Sequence, residues 1–246
     1  MTRLVLALGC VAVCLAAFGA GCAARVKHGV RPGAVPPTAA IVDALARREA
    51  GVPGIRLSMS VKITGTGHDP LLPSPAYLAV DASGGIRLQV LSAFGMTVLD
   101  LAIRGDAYTV TMPLSHESRE GTIDLRALAD PGVPVGDRMI VALALMFRPK
   151  ARRETCRGSG PATVTCAAGA GLNVRTTVDG RLRPIHESYL GADGRPLLDA
   201  TFADYRGDEA TAQPGSLVIE DAASGARMAI EVKRVKRVSP APVASG

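Results

Sequence analysis

The chain has 246 residues, of which 48% are hydrophobic and 20% charged, and a formal net charge of +6. That balance excludes a wholly disordered or collagen-like chain, and the charge excess is too modest to argue by itself for nucleic-acid binding. Aromatic residues make up 3%, Trp is absent, and four His and five Cys leave few donors for a metal centre.

The N-terminus reads MTRLVLALGCVAVCLAAFGAGC: Arg3 precedes an uncharged apolar run from Leu4 to Phe18, and Gly19, Ala20 and Gly21 lead to Cys22. A short basic start, an apolar stretch and a small-residue cleavage site are the parts of a secretory signal, here residues 1–21. The run is also about long enough for a retained anchor helix. The Gly-Ala-Gly-Cys ending resembles a bacterial lipobox, with Gly19 where Leu is usual. The resemblance implies cleavage before Cys22 and lipidation of Cys22. Cys10 and Cys14 would leave too short an apolar run before the cut. Each buried CH₂ of an acyl chain contributes about 0.8 kcal/mol, so several chains hold a protein on a membrane. Ala23 rather than Asp follows Cys22, which by likeness to enteric lipoproteins implies the outer membrane. Residues 22–37 contain three Pro and little periodicity and read as a flexible tether.

Residues 38–238 read as one domain. Thr38 is a candidate N-cap for a helix that places Ile41, Val42, Leu45 and Ala46 on one face and stops at Gly51 and Pro53. From Gly54 the period changes to two. Ile55, Leu57, Met59, Val61 and Ile63 alternate without error with polar residues, the pattern of a half-buried antiparallel strand. Further strands are expected at 76–82, 86–92, 96–104 and 107–112, joined by turns of hairpin length. Residues 124–150 interrupt the alternation. Asp137 is a candidate cap for RMIVALALMF, a nearly all-apolar helix over 138–147 that is too short to span a bilayer and fits across a greasy sheet surface. Strands resume at 162–167, 172–178, 182–190, 196–205, 216–222 and 226–235, and residues 239–246 read as a tail. The expectation is mainly β with α: about eleven antiparallel strands in an unclosed barrel with an apolar cavity, since a sheet of that size encloses more space than side chains fill. Leu57, Met59, Val61, Leu88, Val90, Leu99, Leu101 and Ile103 supply its aliphatic stripes. Such walls, with few large rings, suit a flexible hydrocarbon guest; they also suit an ordinary packed core.

Catalytic signatures are missing. Ser115-His116-Glu117 is sequence adjacency without a nucleophile elbow, His28 and His68 lie in polar segments, and His186 adjoins Glu187 within a strand. No HExxH, GxxxxGK[ST] or GxGxxG occurs, and neither a metal nor another cofactor is expected. Cys156 and Cys166 stand ten residues apart. In an oxidising compartment they pair across a hairpin or stay as buried thiols. KRVKR, residues 233–237, reads as a protective charged strand face or as a contact for anionic headgroups. The export signal speaks against nucleic acid.

Residues 86–112 bring in a family. IRLQVLSAFG resembles the strand and loop "yRLxLxxPLG" of LolB, the outer-membrane lipoprotein receptor of the Lol pathway. Arg87, Leu88 and Gly95 match; Ala93 stands in place of Pro and Phe94 in place of a leucine. The later order is also similar: a Gly turn, a strand ending near Tyr205, Pro214 and two final strands, with the helix over 138–147 where the family covers its barrel. The resemblance implies an unclosed barrel capped by helices that takes lipoprotein acyl chains from a periplasmic carrier of the Lol type. It also implies a protruding loop, here Phe94 and Gly95, that helps deliver them to outer-membrane lipids. Three readings follow: a lipid-anchored transfer protein facing the periplasm, an envelope lipoprotein whose barrel core is filled, and an enzyme. Bound lipid separates the first two, and a metal or turnover would be required for the third.

Overall fold

A strand whose odd residues are apolar and whose even residues are polar must bury one face only, and β1 (Ile55–Thr64) does so. The structure, a computed structural model, describes residues 35–65, 71–148, 153–206 and 212–237. The signal segment 1–21, Cys22, most of the tether, and the tail 239–246 lie outside the described residues. After β1 the chain forms β2 (Leu71–Val80), β3 (Ile86–Leu91), β4 (Thr97–Arg104), β5 (Ala107–Met112) and β6 (Glu117–Thr122) as successive antiparallel neighbours. It then crosses to β7 (Arg157–Gly160) and returns through β8 (Thr163–Gly169), β9 (Leu172–Val178), β10 (Pro184–Leu190), β11 (Pro196–Ala203) and β12 (Ser216–Asp221) to β13 (Arg227–Arg237). β13 pairs with β1 and joins the two halves. The described residues form one sheet of 13 strands that does not close, with β6 and β7 as its edges.

Among the described residues two α-helices accompany the sheet. α1 (Thr38–Ala50) packs on β8 and buries Ile41. It begins at Thr38 itself: Pro37 occupies the cap position and no side chain caps it. α2 (Val135–Met146) buries Met139 and every residue from Val141 to Met146. It starts three residues before the expected 138, behind Pro134, because proline's fixed φ suits a helix start. Asp137 therefore sits inside the first turn instead of capping it.

Strand number also differs from the expectation of about eleven. β6 and β7 were not expected, and β2 begins at Leu71, through Pro73 and Pro75. Pro75 is tolerated there because β2 pairs with β3 only from Ala76 onward, so that side of the strand needs no donor. The core is continuous from Ile55 and Leu57 through Leu88, Leu101 and the α2 residues to Leu198, Ile219 and Ile230. It lies wholly within Val35–Gly246, a compact unit in its own right. Cys156 and Cys166 are joined by a disulfide.

Candidate functional site

Between α2 and the inner face of β1, β3, β4, β5 and β6 lies a cavity of about 500 Å³. Ligand cavities run from about 300 to 1,000 Å³. The wall alternates as the strands do: Val61, Leu88, Val90, Leu99 and Leu101 line it, joined by Ile63, Val110, Met112 and Met228, and α2 contributes Met139, Ile140 and Leu143. Thus five of the eight residues marked from sequence meet at one cavity. Leu57 lines a separate cavity of about 60 Å³ at the other end of β1, beside Leu45 and Phe147. Met59 and Ile103 are buried but line neither. Met59 is flanked by Ala76 and Val232, and Ile103 by Ile86 and Tyr108, at rows where the interior is filled.

Polar groups enter only at the rim, from Glu117, Ser118 and Arg119 of edge strand β6. There α2 is fastened on two sides. The Asp137 carboxylate accepts the Tyr108 hydroxyl at 2.7 Å and pairs with Arg119 at 2.7 Å. Burial and this hydrogen bond push the Tyr108 phenol up to about 12. On the other side Arg138 pairs with Asp221 of β12 at 2.7 Å, with side-chain exposures of 4% and 0%. Arg138 also donates to the carbonyls of Val133 and Asp130, and the Ser224 hydroxyl donates to Asp221. Arg138 Nε and Asp221 Oδ1 are buried with no hydrogen-bond partner among the described residues. A buried ion pair offers little net stability but fixes register, because breaking it strands a charge.

The loop joining β3 to β4 projects from one end of the sheet. Phe94 is 89% exposed at its tip, and Met96 is half exposed. Phe94 does not pack inward. The Ser92 hydroxyl accepts the N–H of Phe94 at 3.3 Å and of Met96 at 3.2 Å, and Gly95 turns with φ 80°, a conformation costly for other residues. The cavity pair Val90 and Leu99 stands directly below this loop. Antiparallel alternation brings two more exposed apolar residues to the same end, Leu72 at the start of β2 and Leu114 in the β5–β6 turn. The sequence reading missed both: Leu72 lies between prolines and Leu114 in a polar turn.

The candidate catalytic groups do not converge. Ser115 and His116 are exposed in the β5–β6 turn and Glu117 at the start of β6, and His186 of β10 lies 3.3 Å from Asp199 of neighbouring β11. Among the described residues no group of three His, Cys, Asp or Glu could hold a metal, and no helix is long and apolar enough to cross a membrane.

No protein-family model matches the chain, and no curated protein matches it. Solved structures do resemble it. A domain named for outer membrane lipoprotein sorting, from Vibrio parahaemolyticus, superposes with a TM-score of 0.54 at 10% identity, over 84% of this chain and 96% of that one. A LolA superfamily protein from Nitrosomonas europaea gives 0.52 at 12% identity, over 84% and 96%. A DUF1329 family protein from Desulfovibrio piger gives 0.54 at 11% identity, over 83% and 95%. At these identities the likeness is one of fold: an open, LolA-like β-barrel with a helix across it.

Proposed function

We propose that this protein binds the acyl chains of lipoproteins in the cavity beneath α2 and helps insert them into the outer membrane. The observation that carries the reading is the apolar space of about 500 Å³ placed directly under an exposed Phe94 loop. A hydrocarbon chain gains about 0.8 kcal/mol for each CH₂ withdrawn from water, and an aliphatic wall accepts it without a partner for every atom. In this reading Cys22 carries the lipid anchor, residues 23–37 form the tether, and the domain faces the periplasm. A soluble carrier of the Lol type supplies the cargo, as the LolB-like strand and loop suggest. No bond is made or broken; affinity differences set the direction. A filled-core lipoprotein is the weaker reading, because the unfilled space sits where the loop would deliver cargo. The test is transfer of an acylated peptide from a soluble carrier to lipid vesicles. The reading expects transfer to be accelerated by this protein and to fall about tenfold with Phe94→Glu; an unaccelerated rate with the unaltered protein contradicts it.

A further inference from the structure

The register of β1 and β13 gathers charge on the outer face of the sheet, away from the cavity. Leu57, Met59 and Val61 point into the core, so Arg56, Ser58 and Lys62 of β1 point outward. Lys236 stands opposite Arg56 and Arg234 opposite Ser58. The next strand places Tyr77, 53% exposed, on the other side of Ser58. Lys233 is matched by Glu231 at 2.5 Å. Arg56, Lys62, Arg234 and Lys236 are exposed and have no ion pair among the described residues. Protection of a sheet edge does not account for Arg56 and Lys62, because β1 is paired on both sides.

We propose that this face, Arg56, Lys62, Arg234 and Lys236 around Tyr77, is a docking surface for the anionic headgroups of a phospholipid bilayer. Cations held near an anionic membrane are drawn to its negative surface potential. A tyrosine is the side chain suited to such a boundary, with an apolar ring and a polar tip. Tyr77 stands opposite Gln89 of β3, so the Phe94 loop lies roughly 15 Å further along the strands. A domain resting on its outer face therefore reaches the same bilayer at both places, with α2 and the cavity turned away from it. This orientation does not depend on what the cavity binds.

The test is co-sedimentation of residues 23–246, which contain the whole compact unit, with vesicles of phosphatidylcholine alone or mixed with phosphatidylglycerol. The expected result is binding to the mixed vesicles that is lost at high salt and falls at least about tenfold in Arg234→Glu/Lys236→Glu. A control pair, Arg126→Glu/Arg157→Glu, makes the same change in net charge elsewhere and is expected to bind as before. Equal loss in the two pairs would show that net charge alone governs binding and overturn the assigned surface. Equal binding to neutral vesicles would overturn it too. Absence of binding to either vesicle also overturns it and points to an acidic protein as the occupant.

Discussion

Single residues separate the parts of this molecule that hold it together from those free to act. Phe94 has almost no contact to lose, so Phe94→Glu is expected to leave the denaturation midpoint within the range of surface substitutions, about 0.5 kcal/mol. Burying a phenylalanine in lipid contributes about 1.5–3 kcal/mol, so under the proposed function its loss corresponds to the tenfold fall in transfer or more. Normal transfer by the stably folded variant would remove Phe94 from the account. Tyr108 makes the opposite case. Its phenol ordinarily titrates near 10.0 and in the fold near 12. Because the folded value is raised, the contribution of the neutral phenol is complete below pH 10 and is lost as the pH rises toward 12. Asp137→Asn removes the acceptor carboxylate and is expected to move the titration down while burial keeps it above 10.0, which ultraviolet titration of the phenol reads. An unchanged titration would show that burial alone sets it.

At the scale of elements, α2 depends on its two fastenings. Arg138→Met leaves Asp221 buried without its partner and is expected to cost about 3–5 kcal/mol in urea denaturation. Arg138→Met with Asp221→Leu is expected to recover most of that, because the stranded charge is gone; equal losses would mean the pair is not the fastening described. The elements also show what could be read in advance. β1 was legible because its alternation has no error. β6, ESREGT, was not: as an edge strand it has no apolar face to announce it, and its pairing with β5 shows only in three dimensions. β7, RGSG, has the same character. The helix expected over 138–147 is present as Val135–Met146, but a nearly all-apolar helix does not declare which side faces the sheet. Met139, Ile140 and Leu143 were therefore missed as cavity wall, while Val61, Leu88, Val90, Leu99 and Leu101 stood out by period. Met59 and Ile103 carry the same period and fill the core instead, since periodicity gives the face and not the depth.

At the largest scale, the described residues of the unit Val35–Gly246 form a sheet folded around more apolar space than their side chains occupy. Well-packed interiors leave few voids larger than a water molecule, and a cavity of about 500 Å³ lined by aliphatic residues is the feature on which the proposed acyl-chain binding rests. In the proposed function the unpaired edges β6 and β7 and the exposed apolar end are where an acyl chain would enter. The most direct test of the central claim is native mass spectrometry with lipid extraction on residues 23–246 recovered from the periplasm. The account predicts a stoichiometric acyl-chain ligand, lost when Leu99→Trp, at the half-buried part of the wall, fills the cavity. A protein that is reproducibly empty and takes up no fluorescent fatty acid would contradict it.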